Sequence, residues 1–125
     1  MARILIVDDS RYVRELLLVI LRKRGHEVIE AKTGNEALEL YRMQKPDLVL
    51  MDILLTPDFN GIQCTRRIRE LDPGARILTV SALSQDAVVT EAIDAGSKDF
   101  LSKPFKPRDL TYMINKILEK GQEHV

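Results

Sequence analysis

Five short apolar runs alternate along the chain with five stretches whose apolar residues recur at helical spacing. The runs are Arg3–Val7 (RILIV), Glu27–Ala31 (EVIEA), Asp47–Met51 (DLVLM), Ala75–Ser81 (ARILTVS) and Lys98–Ser102 (KDFLS). Ile, Val and Leu dominate most of them. A near-continuous apolar run leaves no side for water, so it suits a strand buried on both faces of a parallel sheet. The second and fifth runs are more polar, as edge strands would be.

The stretches between read as helices. Val13, Leu16, Leu17, Ile20 and Leu21 repeat at helical spacing, and Gly25 ends that helix from just beyond its last turn. Ala37, Leu38 and Tyr41 mark a second helix, stopped by Pro46. Ile62, Thr65, Ile68 and Leu71 give a third, closed by Asp72-Pro73-Gly74. Val88, Ala92 and Ala95 give a fourth, capped by Ser84 in front and Gly96 behind. Leu110, Met113, Ile114 and Ile117 give a fifth, with Pro107 in its first turn. Strict alternation of strand and helix implies right-handed crossovers and a three-layer α/β sandwich. One domain is expected over residues 1–119, with a polar tail, 120–125, that frays.

The bulk properties narrow the function. The chain of 125 residues is long enough for one domain with a real core and too short for two. Nineteen Lys and Arg balance nineteen Asp and Glu, so no basic field exists to hold nucleic acid by this chain alone. The single cysteine, Cys64, rules out an internal disulfide and fits a reducing cytoplasm. The first apolar run is too short for a signal peptide or a membrane span.

Chemistry gathers at the strand ends. Open parallel sheets bind ligands beyond the carboxyl ends of their strands, where strand order reverses. The first strand ends in Asp8-Asp9, the third in Asp52, the fourth in Ser81 and the fifth in Lys103. With strand order 2-1-3-4-5, the first and third strands are neighbours about 4.8 Å apart. Asp8, Asp9 and Asp52 then share a crevice closed by Ser81 and Lys103. Three carboxylates repel unless a cation joins them, and a hard divalent ion such as Mg²⁺ suits oxygen donors. Metal, ammonium and hydroxyl around one carboxylate make a site for phosphoryl transfer, with Asp52 as nucleophile giving an aspartyl phosphate.

Each residue alone has a plainer role. Asp8, Asp9 and Ser10 suit a helix cap, Asp52 and Ser81 suit turns, and Lys103 suits a surface lysine. Cys64 reads as a small apolar filler, and Tyr12 and Tyr41 as half-buried packing groups. His26 and His124 carry no assigned role. The joint placement on four strand ends is what favours chemistry.

The fragments RILIVDDS, DLVLMDI, VSA and KPF, in this order and spacing, resemble the receiver domains of response regulators from about Arg3 to Leu118. The stretch SALSQDAVVTEAIDAGSKDFLSKPFKP is most similar to chemotaxis-type, CheY-like single-domain regulators. The resemblance implies a flavodoxin-like (βα)5 fold. It implies phosphorylation of Asp52 by a histidine kinase, with Mg²⁺ held by Asp8, Asp9, Asp52 and the Leu54 carbonyl. It implies that Lys103 binds the phosphate, that Ser81 and Phe100 form the switch, and that Lys103-Pro104 is a cis peptide. Such a protein is a monomeric regulator and not an enzyme, although it assists its own phosphorylation and dephosphorylation. Its effector would be a flagellar or archaellar motor adaptor. A receiver from a phosphorelay outside chemotaxis is the alternative.

Two departures stand out. Gly61 lies nine positions after Asp52, one more than in most relatives, so one residue is inserted near Thr56 to Phe59. Leu54 and Leu83 occupy positions where relatives often carry polar groups. Other classes fit less well. A haloacid-dehalogenase-type phosphohydrolase would carry Asp-x-Asp after the first strand, where Asp8-Asp9-Ser10 stands. A flavin mononucleotide carrier would need a phosphate cradle there, which Asp8 and Asp9 would repel. A receiver degenerated to a binding module would not keep the full set of acids, hydroxyl and lysine.

Overall fold

Strand and helix alternate throughout the computed structural model, which describes residues 1–120. The elements are β1 (Arg3–Val7), α1 (Arg11–Lys23), β2 (Glu27–Ala31), α2 (Gly34–Gln44), β3 (Leu48–Met51), α3 (Gly61–Leu71), β4 (Ile77–Ser81), α4 (Asp86–Asp94), β5 (Asp99–Ser102) and α5 (Pro107–Lys120). The five strands form one parallel sheet in the order β2-β1-β3-β4-β5, a flavodoxin-like arrangement. The two polar runs are therefore the edges, as their charge suggested. Of the expected tail, Lys120 closes α5; residues 121–125, and with them His124, lie outside the described residues.

Side chains alternate across the sheet, so each central strand feeds two cores. Ile4 and Ile6 join Leu17 and Leu21 of α1 and Leu110, Ile114 and Ile117 of α5. Leu5 and Val7 join Ala37, Leu38 and Tyr41 of α2 and Cys64 and Ile68 of α3. Each Leu, Ile or Val among them, fully buried, is worth about 1.5–3 kcal/mol. A smaller cluster under α4 holds Ile53, Ile62, Ala92 and Ala95, with Leu83, Val88 and Phe100 packed on it.

Local chemistry sets the helix ends. Ser10, Thr33 and Asn60 cap α1, α2 and α3, and Asn60 and Gln63 form a reciprocal capping box. Gly25 and Gly96 take positive φ after α1 and α4. Two expectations fail here. Gln85, not Ser84, precedes α4, and it caps with no side-chain bond; the helix starts one residue later, with Asp86 in its first turn facing the positive end of the dipole. Tyr12 is not a packing group but is 76% exposed, because the inward side of α1 is filled by Val13, Leu17, Ile20 and Leu21. Tyr41 is buried, and its hydroxyl donates to Asp72 at 2.8 Å. Cys64 is a buried filler as expected, and burial pushes its thiol up to about 12.

Candidate functional site

The sheet hydrogen bonds run up to the polar residues and stop there. The Asp8 N–H donates to the Ala31 carbonyl at 3.1 Å, the Asp52 N–H to Val7 at 2.9 Å, and the Lys103 N–H to Ser81 at 3.0 Å. Each backbone is pinned by the last bond of its strand, so the side chains beyond emerge at defined points. Asp8 and Asp52 are buried, at 2% and 5% exposure. Lys103 reaches across from β5 and donates to Asp8 at 2.7 Å and to Asp52 at 3.3 Å.

Asp8, Asp9 and Asp52 each bring a carboxylate oxygen within 4.8 Å of the others. One ammonium against three carboxylates leaves the pocket with excess negative charge. Burial, reinforced by the charge of Asp8, lifts the Asp52 carboxyl above the ordinary range; Lys103 and the Ser81 hydroxyl pull it back only in part. Burial works against the charge on Lys103, but its bond to Asp8 and the two carboxylate charges outweigh that and hold it above the usual lysine value. Hard oxygen donors, close-set and under-neutralised, fit a divalent cation.

The plainer roles are also partly present. Ser10 caps α1 by accepting from the Val13 N–H at 3.3 Å, and Asp8 Oδ1 accepts from the Ser10 N–H at 2.9 Å. The Leu54 N–H points to Asp52 Oδ1 at 3.4 Å, and the Leu83 N–H donates to the Ser81 hydroxyl at 3.3 Å. These turns orient the same side chains that line the pocket. Asp9 and Leu54 are exposed, Ser81 is fully buried, and Phe100 is half-buried, packed like Leu83 on the cluster under α4. The Lys103–Pro104 peptide is cis. His26 lies at the opposite end of the sheet, where its Nδ1 accepts from the Ala2 N–H at 3.2 Å.

Between Asp52 and Gly61 the chain makes a tight turn at Thr56–Phe59. The Phe59 N–H donates to the Thr56 carbonyl at 3.2 Å, and the Thr56 hydroxyl donates to the Phe59 carbonyl at 3.2 Å, leaving Pro57 and Asp58 at the tip. The Phe59 ring lies against Gly34, where a Cβ would meet it at 2.5 Å.

The contacts of two residues at the site could not be read from pattern. Gly61 brings the start of α3 so close to Asp52 that a Cβ there would sit 1.8 Å from the Asp52 carbonyl oxygen. Its spacing was visible in the sequence, but its contact was not. Arg14, one turn into α1, donates from Nη1 to the Asp8 carbonyl at 2.8 Å and from Nε to Glu30 at 3.2 Å. Nothing in its local sequence separates it from Arg11, which pairs on the surface with Glu15.

A doubly wound sheet with three carboxylates and a lysine at its switch point has the donor set that phosphoryl chemistry would use. The family described as "Response regulator receiver domain" matches residues 4–115, and the chain belongs to that family. It is 47% identical to the chemotaxis protein CheY of Thermotoga maritima over 92% of this chain and 96% of that one. It is 45% identical to CheY of Bacillus subtilis, over 93% and 97%. Among solved structures, a CheY-like receiver domain protein from Methanospirillum hungatei superposes with a TM-score of 0.92 at 31% identity, covering 98% of this chain and 97% of that one. The chain is thus a two-component receiver with CheY relatives, a class of signalling regulators. No helix among the described residues is long and apolar enough to cross a membrane.

Proposed function

We propose that this receiver accepts one phosphoryl group on Asp52 from a histidine kinase and relays the event to a chemotaxis effector such as a flagellar or archaellar motor adaptor. The observation that carries the reading is the Lys103 ammonium shared between Asp8 at 2.7 Å and Asp52 at 3.3 Å beside an under-neutralised acidic pocket. Asp8, Asp9, Asp52 and the Leu54 carbonyl would hold Mg²⁺, which when bound supplies positive charge to the phosphoryl oxygens. An Asp52 oxygen forms the new bond to phosphorus as the bond to the donor nitrogen breaks. Lys103 steadies charge on the equatorial oxygens, and Ser81 donates a hydrogen bond to one of them. Drawing Ser81 toward the phosphate frees space that Phe100 fills, a two-state bias read on α4, β5 and α5. Lys98, Lys106 and Arg108 make part of that surface basic. The chain works as a monomer in the cytoplasm and promotes only its own phosphorylation and dephosphorylation.

The test is intact mass after incubation with acetyl phosphate and Mg²⁺. Wild type should gain one phosphoryl group, and Asp52→Asn should gain none. Equal labelling of the two would place the acceptor elsewhere. Capture of a motor protein by the phosphorylated form, and not by Asp52→Ala, supports the chemotaxis role; capture of a further phosphotransfer protein instead points to another relay.

A further inference from the structure

Every polar group of Asp8 is engaged. Its N–H bonds Ala31, its Oδ1 accepts from Ser10 and its Oδ2 from Lys103. Its carbonyl, the first past β1 and outside the sheet, accepts from Arg14. Arg14 is itself held: its side chain is only 15% exposed, and its Nε donates to Glu30 on the edge strand β2. A planar guanidinium with two fixed partners has little freedom left, unlike a lysine, which would satisfy one partner at a time.

We infer that Arg14 is a positioning residue for the acidic pocket. By clamping the Asp8 peptide between α1 and β2, it sets the turn that aims Asp8 at Lys103 and Asp9 at the crevice. The inference rests on the proposed metal site, because its consequence is read as cation affinity. Partners that orient the residues of a metal site commonly contribute about 10–100-fold to affinity.

The sign of the effect separates positioning from charge. Arg14 is a cation 2.8 Å from a residue of the acidic pair. Acting through charge alone it would repel Mg²⁺, so its removal would tighten binding. Acting through geometry, its removal weakens binding.

The experiment is a Mg²⁺ titration of the full chain followed by the amide shifts of Asp9 and Ser10. Arg14→Met should raise the half-saturating Mg²⁺ by about tenfold. Arg14→Lys, which keeps the charge but not both contacts, should fall between. Unchanged or tighter binding in Arg14→Met overturns the inference, as does full rescue by Lys. If Arg14→Met does not fold, Arg14→Lys decides alone, and wild-type affinity in it is the refuting result. If wild type shows no response to Mg²⁺, the metal reading fails by itself. The positioning role is then read in metal-free protein, where Arg14→Met should speed exchange of the Ser10 amide that bonds Asp8; unaltered exchange rejects it.

Discussion

Asp52→Asn should make the metal-free protein more stable while abolishing its labelling. Asparagine keeps the shape of the side chain and removes its charge. At an effective dielectric of about 20, two carboxylates about 4.8 Å apart repel by about 3.5 kcal/mol. At the same dielectric, the Lys103–Asp52 pair at 3.3 Å attracts by about 5 kcal/mol. Asp52 faces two carboxylate neighbours and one shared ammonium. Exposed Asp9 is screened by water, so repulsion and attraction nearly cancel, and burial, the largest influence, leaves the Asp52 charge a net cost of about 1–2 kcal/mol. Lys103 is not orphaned by the substitution, since it keeps its shorter bond to Asp8. For a chain of this size each kcal/mol moves the melting temperature by roughly 3–5 °C. Thermal unfolding in EDTA at neutral pH should therefore show the variant several degrees above wild type.

The pH dependence has a defined sign. The folded-state pKa of Asp52 is raised, so its contribution to stability is fully present below the unfolded carboxylate value and is lost as pH rises through the folded one. The gap between variant and wild type should close in acid and open toward neutrality. Saturating Mg²⁺ should reverse the order, since a hundredfold excess over the dissociation constant stabilises wild type by about 2.7 kcal/mol. A variant that melts below wild type in EDTA, or a gap indifferent to pH, refutes the account of a strained pocket.

Three further outcomes follow from the same geometry. Asp9→Ala should remove most of the rise in melting temperature that Mg²⁺ gives wild type; an equal rise in both would take Asp9 out of the metal site. Leu54, exposed, and Leu83, half-buried, offer an attacking water no hydrogen bond, so Leu54→Asn with Leu83→Glu should speed loss of the phosphate about tenfold, or about 1.4 kcal/mol in the barrier. Decay of phosphorylated protein after donor removal checks this, and equal or slower decay in the variant clears the two leucines of any gating. Gly61→Ala forces a Cβ onto the Asp52 carbonyl and should cost about 3 kcal/mol or more in urea unfolding, whereas Gly74→Ala, whose nearest contact is the Asp72 side chain at 3.4 Å, should be nearly silent.

Much of this molecule was legible before folding because its signals are local. Apolar runs such as RILIV and LVLM state their own burial, since a strand covered on both faces favours apolar side chains at most positions. Strand ends are equally local, so Asp8, Asp9, Asp52, Ser81 and Lys103 could be picked out by position alone. The polar edge runs placed β2 and β5 correctly for the same reason.

What escaped the linear reading depends on pairs of distant segments. Whether Tyr12 packs or faces water depends on which turn of α1 meets β1 and α5, and the residue type is silent on that. The start of α4 was misplaced by a residue because Ser84 has the side chain of a helix cap, whereas the backbone path puts Gln85, which makes no capping bond, at that position. Gly61 is required by its distance from a carbonyl nine residues earlier, and Arg14 matters through a carbonyl and an edge-strand glutamate brought to it by the crossover. Residue types carry burial preference and chemistry. Contact, and with it the sharing of one lysine by two buried aspartates from different strands, exists only once the sheet has set the strands side by side.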